Sequence, residues 1–274
     1  MNKQSKPFAK KSLGQNFLND EKVVSRIVEA VGLNGDEVVL EIGPGRGALT
    51  QLLSENSRKL ILIEKDDRFA AELVDRFQSS PKIKIFNSDF LEFDLSELGS
   101  EKGKIKVVGN LPYNVGTAIL QKLSRHRNLF ELGVFMLQKE VVERITAPVS
   151  SPDRGFLSVI SQFSFDAKKL FDVSPEAFRP RPKVTSSVVQ LVPTERQVSS
   201  DVENLFMAVV SAGFLQRRKT ILNNLKTFGG RSGEEIIHCL EQSEISNDRR
   251  AESLSVDEWI RLATSLSRNP QDLN

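Results

Sequence analysis

The chain has 274 residues, of which 39% are hydrophobic and 27% are charged, and its formal net charge is +2. This composition is typical of a soluble globular protein, and the length allows one large and one small domain. The sequence has no apolar run of about 18 residues and no apolar signal core, which predicts a protein without a membrane span or a secretory signal. It has a single cysteine, Cys239, and no Cys/His cluster, which predicts neither a disulfide nor a zinc site. The expected compartment is the cytoplasm.

Hydrophobic periodicity predicts a regular alternation of elements in the first half of the chain. Apolar residues at helical spacing predict a helix over 21–31, capped by Asn19 or Asp20. Continuous apolar strands then alternate with amphipathic helices, which predicts a parallel sheet covered on both faces. The predicted strands are 37–42, 59–64, 83–87, 104–110 and 132–138, and the predicted helices are 48–56, 66–77, 115–126 and 139–147.

The pattern changes in the second half. Residues 155–165 are predicted as a helix or helix end, and two late strands are predicted at 168–174 and 186–192. The polar stretch 193–201 is predicted to be a linker, so the domains are expected at 1–195 and 200–274. Every periodic segment beyond the linker is helical, and Ser255 and Glu258 have the spacing of a capping box. The helices are predicted at 202–214, 217–228, 234–242 and 256–267.

A glycine-rich turn follows the first predicted strand. "EIGPGRGALT" places Gly43, Gly45 and Gly47 between a strand and a helix, where glycine allows positive φ and close approach of a ligand. The spacing G-x-G-x-G differs from the dinucleotide fingerprint G-x-G-x-x-G, so pyrophosphate binding is disfavoured. A tight turn without a ligand is the alternative interpretation.

Acidic residues stand at the ends of the next two strands. Glu64, 21 residues after Gly43, is placed to accept hydrogen bonds from both ribose hydroxyls of an adenosine. Asp89 is placed to accept from an exocyclic adenine amine, with a helix cap as the alternative. Together with the glycine turn, these acids predict an adenosyl cofactor without phosphates, which is S-adenosylmethionine.

The tetrapeptide Asn110-Leu111-Pro112-Tyr113 follows the fourth strand and contains the only tyrosine of the chain. The Asn110 side-chain carbonyl and the Leu111 backbone carbonyl, held in direction by Pro112, are suitable acceptors for the hydrogens of an aryl amine that must attack a methyl donor. Tyr113 offers a flat face for a base removed from its stack. The alternative is a proline turn with a half-buried tyrosine.

Basic residues form separated clusters on this near-neutral chain. Residues 1–11 carry four lysines and no acid, and two further clusters lie at 179–183 and 217–219. Such clusters fit a surface that follows RNA phosphates, although solvated faces are the common alternative.

Eight segments resemble the ribosomal RNA adenine dimethyltransferase family. They are "KKSLGQNFLND", "EIGPGRGALT", "IEKD", "NSDFLEFD", "GNLPYN", "FMLQKEVVER", "RPKVTSSVV" and "FLQRRKTILNNL". The resemblance is greatest to the 16S rRNA branch, which dimethylates N6 of two adjacent adenines near the 3′ end of the small-subunit RNA. It implies a Rossmann-like class I methyltransferase sheet of about seven strands, mostly parallel, followed by a small helical RNA-binding domain.

The resemblance also implies roles for individual residues. Asn16 and Leu18 would close over S-adenosylmethionine, and Gly43 and Gly45 would contact its amino-acid moiety. Glu64 would bind the ribose, and Asp89 and Phe90 would bind the adenine. Asn110 would contact both the methyl donor and the methyl acceptor. Phe178 matches the aromatic that sandwiches the target base opposite Tyr113, unless it is a core residue. The residues expected to bind RNA are Lys10, Lys11, Arg179, Arg181, Arg217, Arg218 and Lys219.

The expected partners are 16S rRNA and the small ribosomal subunit, and we expect a monomer with no metal and no membrane association. One departure from the family is the pair Val115-Gly116, where a serine often follows isoleucine, and it predicts a looser helix start. Three alternatives stay open: a macrolide-resistance methyltransferase acting on large-subunit RNA, an RNA-binding assembly or transcription factor, and a DNA adenine methyltransferase. The last usually carries D-P-P-Y in place of N-L-P-Y.

Overall fold

The computed structural model describes residues 16–98, 105–112 and 115–268. They belong to two compact units. The first unit takes its residues from 1–142 and 166–193, and the second from 143–165 and 194–274. The expected linker at 193–201 therefore contains one unit boundary. The expected domains 1–195 and 200–274 differ from these units in one respect, because residues 143–165 group with the C-terminal helices.

The first unit is built on a seven-stranded sheet. Its strands are β2 (Val38–Ile42), β3 (Lys59–Glu64), β4 (Ile83–Asn87), β5 (Ile105–Asn110), β6 (Phe130–Gln138), β7 (Phe165–Val173) and β9 (Ser186–Pro193). They lie in the order β4-β3-β2-β5-β6-β9-β7. The first five strands in this order, β4, β3, β2, β5 and β6, run parallel to one another, and β9 is antiparallel to β6. This arrangement confirms the predicted mostly parallel sheet.

Helices connect β2 to β3, β3 to β4 and β5 to β6, as the alternation predicts. The first helix begins after Asp20, whose carboxylate accepts hydrogen bonds from the Lys22 and Val23 amides, and it ends before Gly32 in the left-handed conformation. Its buried face carries Val24, Ile27 and Val31. The helices of this region are α1 (Glu21–Val31), α2 (Thr50–Asn56), α3 (Asp67–Phe77), α4 (Gly116–Arg125) and α5 (Lys139–Ile145).

A second, very small sheet was not predicted from the sequence. The two-residue strands β1 (Phe17–Leu18) and β8 (Phe178–Arg179) pair antiparallel, with Leu18 opposite Phe178. Strands of two residues have no periodicity that a sequence pattern could reveal. Their pairing fixes the segment around Phe17, which reaches the functional site described below.

The second unit is helical and has its own core. It contains α6 (Phe156–Ser164), and the Phe163 ring stacks on Phe206 with centroids 4.3 Å apart, which explains why this helix groups with the C-terminal ones. Trp259 is fully buried in the same core. The predicted capping box is confirmed, because the Ser255 amide donates to Glu258 and the Glu258 amide donates to Ser255 Oγ. The remaining helices are α7 (Ser200–Gly213), α8 (Ile221–Leu225), α9 (Gly233–Gln242) and α10 (Val256–Arg268).

The predicted helix over 217–228 is wrong in its first part. The Thr220 hydroxyl accepts a hydrogen bond from the Asn223 amide and caps α8, so the helix begins only at Ile221. The basic residues 217–219 therefore lie in the turn before α8. Across the part of the chain that the structure describes, no helix is both long and apolar enough to span a bilayer.

Candidate active site

The carboxyl ends of β2, β3, β4 and β5 open into one cleft of the first unit. This edge is where ligands bind in open α/β sheets, because the loops that follow parallel strands meet there. All eight residues predicted for cofactor binding line the cleft: Asn16, Leu18, Gly43, Gly45, Glu64, Asp89, Phe90 and Asn110.

The amides of the three glycines in the loop donate hydrogen bonds to acceptors within the protein. Gly43, Gly45 and Gly47 have φ of 64°, 54° and 76°, a conformation that favours glycine. The Gly43 amide donates to Ile63 O, the Gly45 amide to Glu64 Oε2 and the Gly47 amide to Pro44 O, at 2.9, 2.8 and 2.8 Å. A phosphate cradle needs such amides to point at the ligand. The loop is therefore suited to close approach of a ligand without phosphates.

Glu64 is buried at the end of β3 and joins two loops. Its Oε2 accepts from the Gly45 amide and its Oε1 accepts from the Asp66 amide, both at 2.8 Å. Burial raises the pKa of this carboxyl, while the two amide bonds oppose the rise. Each oxygen keeps a further lone pair for a hydroxyl donor in the cleft.

Glu41 is a cleft residue that the sequence interpretation missed. It stands at the end of β2, is 2% exposed, and its Oε2 accepts from the Thr50 hydroxyl at 2.7 Å. Burial raises its pKa to about 8, with a further rise from the nearby Glu64 charge and a decrease from the Thr50 bond. The rule applied to Glu64 and Asp89, an acid at a strand end, would also have identified Glu41.

Asp89 lies at the end of β4 in a hydrogen-bonded turn. Its Oδ1 accepts from the Leu91 amide at 2.9 Å, and its Oδ2 pairs with Lys65 Nζ at 2.5 Å. Burial opposes ionisation of Asp89, but the Lys65 ammonium and the Leu91 amide outweigh it and lower the pKa. The helix cap predicted as an alternative for Asp89 is wrong in one respect, because Asp89 begins a hydrogen-bonded turn and no helix follows it directly. The same carboxylate also lines the cleft.

The segment before α1 covers the glycine loop. The Phe17 ring lies edge-on to Phe69, with centroids 5.2 Å apart, and the Arg46 guanidinium lies 4.4 Å from the Phe17 centroid. A Cβ at Gly45 would stand 3.2 Å from the Phe17 ring, so this position needs glycine for space as well as for its positive φ. Phe17 and Arg46 are further cleft residues that lie within quoted motifs but were not assigned a role from the sequence.

The Asn110-Leu111-Pro112 segment continues from β5 into the cleft. Asn110 Nδ2 donates to Asn16 O at 3.0 Å, so the side chain presents Oδ1 as its acceptor. The Leu111 amide donates to Met136 O at 3.1 Å, and Pro112 O accepts from Gly116 N at 3.0 Å. These bonds hold the segment between β6 and the start of α4. Tyr113 lies outside the described residues.

The departure at Val115-Gly116 has a packing reason. Gly116 begins α4, and a Cβ there would stand 2.6 Å from Leu137 Cδ2. Glycine therefore lets the start of α4 approach β6 closely. The helix start has no side-chain cap at Val115. The looser start expected from the sequence stays a prediction.

Phe178 is placed differently from the other predicted site residues. Its side chain is fully buried in the core cluster of the first unit, and it is not among the residues that line the cleft. The alternative interpretation, that Phe178 is a core residue, thus agrees with its position in the structure. Its role in base stacking stays a prediction.

The predicted RNA-binding residues have different environments. Arg179 donates to the carbonyls of Glu176 and Phe178, and Arg181 forms an ion pair with Glu176. Arg217 donates to the carbonyls of Pro152 and Arg154, while Arg218 and Lys219 are exposed. Lys10 and Lys11 lie outside the described residues. Within 16–98, 105–112 and 115–268, no group of three metal-ligating side chains is found.

The sheet order, the glycine loop and the acids at successive strand ends together define a class I methyltransferase. The model of the family "Ribosomal RNA adenine dimethylase" matches residues 8–268. The chain belongs to this family.

Two curated relatives extend over almost the whole chain. The ribosomal RNA small subunit methyltransferase A of Geobacter metallireducens is 41% identical over 262 residues, covering 94% of this chain and 95% of the relative. The protein of the same name from Francisella tularensis subsp. novicida is 41% identical over 265 residues, covering 96% of this chain and 100% of the relative.

Solved structures agree with the fold. A dimethyladenosine transferase from Plasmodium falciparum has a TM-score of 0.77 at 24% identity, covering 92% of this chain and 98% of that chain. The 23S rRNA methyltransferase ErmE has a TM-score of 0.68 at 25% identity, covering 92% of this chain and 100% of that chain.

The buried Glu41 predicts a pH-dependent stability. Between the ordinary pKa of 4.5 and the folded-state value of about 8, the folded protein holds a proton that the unfolded chain has lost. The proton on Glu41 therefore contributes stability that is fully present below the ordinary pKa of 4.5. This contribution decreases as the pH rises and is lost once the pH exceeds the folded-state pKa of about 8. We expect the wild type to lose about 1.4 kcal/mol per pH unit relative to Glu41→Gln between about pH 5 and pH 8.

Urea denaturation followed by circular dichroism across this pH range would measure the difference. Glu55→Gln is the control, because Glu55 lies on the exposed face of α2. Its free energy of unfolding should run parallel to the wild type. A Glu41→Gln curve that is also parallel would show that Glu41 is ionised in the folded protein.

Proposed function

We propose that the protein transfers methyl groups from S-adenosylmethionine to N6 of two adjacent adenines near the 3′ end of 16S rRNA in the small ribosomal subunit. The observation that carries the proposal is the convergence of Glu64, Asp89 and Asn110 on one cleft of a member of this family. The proposal includes a monomer that works in the cytoplasm, where ribosomal subunits are assembled. None of the roles assigned below requires a metal.

The chemistry of the cleft fits this cofactor. The acids Glu64 and Asp89 line it, which favours a ligand that carries positive charge, and Phe90 and Leu18 add apolar surface for a base. The glycine amides are used within the protein, which disfavours a phosphate-bearing ligand. Bound S-adenosylmethionine would supply an electrophilic methyl group on a sulfonium sulfur.

Residues of the chain would divide the work of binding the cofactor. Glu64 would accept hydrogen bonds from the ribose hydroxyls with the lone pairs that the Gly45 and Asp66 amides leave available. Asp89 would accept from the exocyclic amine of adenine with a lone pair that the Lys65 ammonium and the Leu91 amide leave available. Gly43 leaves open space where a side chain would stand, so the amino-acid moiety can approach the backbone.

Asn110 would act on the RNA adenine. An adenine N6 is a poor nucleophile, because its lone pair is delocalised into the ring. Acceptors on its hydrogens favour a pyramidal nitrogen and stabilise the positive charge that develops during attack. The hydrogen bond from Asn110 Nδ2 to Asn16 O fixes the orientation of the side-chain amide, which leaves Oδ1 as the acceptor that this step needs. The Leu111 carbonyl, followed by Pro112, would supply the second acceptor.

The small-subunit substrate is favoured over the large-subunit alternative by the comparisons. The relatives named for the small subunit are 41% identical, whereas the 23S rRNA methyltransferase is 25% identical. The exposed Arg218 and Lys219 would contact RNA phosphates. Arg217 would instead support the turn that presents them, since it donates to two loop carbonyls of the second unit.

Asn110→Ala should lower the rate of methyl transfer by about 10²–10³, because the variant lacks a preorganised acceptor for the charge that develops on N6. Binding to undermethylated small subunits should be retained. Single-turnover transfer of labelled methyl groups measures the first effect, and a filter-binding titration measures the second.

The matched control is Asn56→Ala, which removes the same side chain at the end of α2, where its amide donates to Leu52 O. This variant should methylate at the wild-type rate. If Asn110→Ala also does so, the Asn110–Pro112 segment is only a turn. If wild-type protein with cofactor leaves the small-subunit RNA unmodified, the proposed activity itself is wrong.

Replacing Arg218 and Lys219 together by Ala should weaken binding to small subunits. The slope of log affinity against log salt should decrease by up to about two units, one for each RNA phosphate that the variant no longer neutralises. Cofactor affinity should not change. Titrations at several salt concentrations would measure both the affinity and the slope.

Arg217→Ala separates support of the turn from binding of RNA. It should lower the urea midpoint of the second unit, which the fluorescence of Trp259, the single tryptophan, reports. The charge-matched control for the Arg218/Lys219 variant is a double variant of Arg58 and Lys59, which lie at the amino end of β3. An unchanged salt slope for the Arg218/Lys219 variant would remove these residues from the RNA surface.

A further inference from the structure

Lys122 on α4 makes an unusual set of hydrogen bonds. Its ammonium donates to three backbone carbonyls, those of Phe90, Leu91 and Phe93, at 2.8, 3.0 and 2.6 Å. An ammonium has three donors, so these bonds satisfy all of them. All three acceptors belong to one short turn that follows β4. Lys122 therefore binds this turn at three points along its backbone.

The turn that Lys122 holds is the one that carries Asp89 and Phe90. The Glu92 and Phe93 amides donate to Asp89 O at 3.0 and 2.9 Å, and the Leu91 amide donates to Asp89 Oδ1. Asp89 thus satisfies the three consecutive amides at 91–93, while Lys122 satisfies three carbonyls of the same turn. The turn is thus a single hydrogen-bonded unit. Two of its residues, Asp89 and Phe90, line the cleft.

The position of the ammonium also affects charge and packing in the turn. Nζ lies 5.3 Å from the centroid of the Phe90 ring, within the range of a cation–π contact. Burial lowers the pKa of Lys122, while Asp89 and Asp94 raise it. The Lys122 charge in turn contributes to the lowered pKa of Asp89 and so favours the ionised, acceptor form.

Lys122 also links two parts of the site. It lies on α4, the helix that follows the Asn110–Pro112 segment and begins where Pro112 O accepts from Gly116. The same helix contributes Ile119 to the lining of the cleft. A displacement of the turn at Asp89 would therefore be resisted by the helix that follows the proposed catalytic segment.

We propose that Lys122 is a positioning residue that holds Asp89 and Phe90 in the orientation that recognises the adenine base of the cofactor. This inference rests on the proposed function, because it presupposes an adenosyl cofactor in the cleft. It extends that function to a residue that does not line the cleft. If Lys122 only stabilised the fold, its replacement would weaken the binding of every ligand equally. If it positions the turn, its replacement changes the discrimination between bases.

The test is a calorimetric comparison of two ligands. S-adenosylhomocysteine carries the exocyclic amine, and S-inosylhomocysteine carries an oxygen in its place. Lys122→Met should weaken S-adenosylhomocysteine by about tenfold, because a misplaced turn weakens the contacts of Asp89 and Phe90, but should change S-inosylhomocysteine much less. The preference for adenine should therefore decrease. Arg125→Met, at an exposed position of the same helix, is the control and should keep the wild-type preference.

Each result decides between the two roles. An unchanged preference in a folded Lys122→Met variant, or an equal loss for both ligands, would overturn the proposal and leave Lys122 a structural residue. Should Lys122→Met not fold, Lys122→Gln decides by the same ratio, because its amide keeps two donors but has no charge. If wild-type protein binds neither ligand, the proposed cofactor is wrong, which is a different failure from an unchanged preference.

Discussion

The buried carboxylate of Glu64 is the interaction on which the geometry of the site depends. One oxygen accepts from the amide of Gly45 in the loop after β2, and the other from the amide of Asp66, which caps α3. A buried carboxylate is costly unless hydrogen bonds compensate it. Both loops are therefore held in the positions that satisfy it. The same requirement explains why the Gly45 amide faces the protein rather than a ligand, which suits the cleft to an adenosyl ligand without phosphates.

The rest of the site is arranged around that fixed centre by backbone hydrogen bonds. Asn110 reaches the Asn16 carbonyl, so the segment before α1 and the segment after β5 meet over the cleft. Lys122 binds the turn after β4 in the same manner. Loops are usually the most mobile parts of a fold, and here side chains connect each loop to a neighbouring element. Such support is what a site needs to keep reacting groups in line.

Much of this arrangement could be predicted from sequence, because it depends on periodicity and on strand ends. Apolar runs predicted the parallel strands, and the acids at their ends predicted Glu64 and Asp89 in one cleft. Long-range contacts could not be predicted, since no local pattern encodes them: the pairing of Leu18 with Phe178, the stacking of Phe163 on Phe206, and the bonds of Lys122. The turn at 217–219 was predicted as helix because the capping role of Thr220 was overlooked.

The central claim is that Glu64 binds the ribose of an adenosyl cofactor, and calorimetry with S-adenosylhomocysteine tests it most directly. Wild-type protein should bind the ligand, and Glu64→Gln should weaken it by roughly tenfold or more, because the variant lacks a charged acceptor for the ribose hydroxyls. Glu72→Gln, at an exposed position of α3, should bind as the wild type does. A folded Glu64→Gln variant with wild-type affinity would contradict the account.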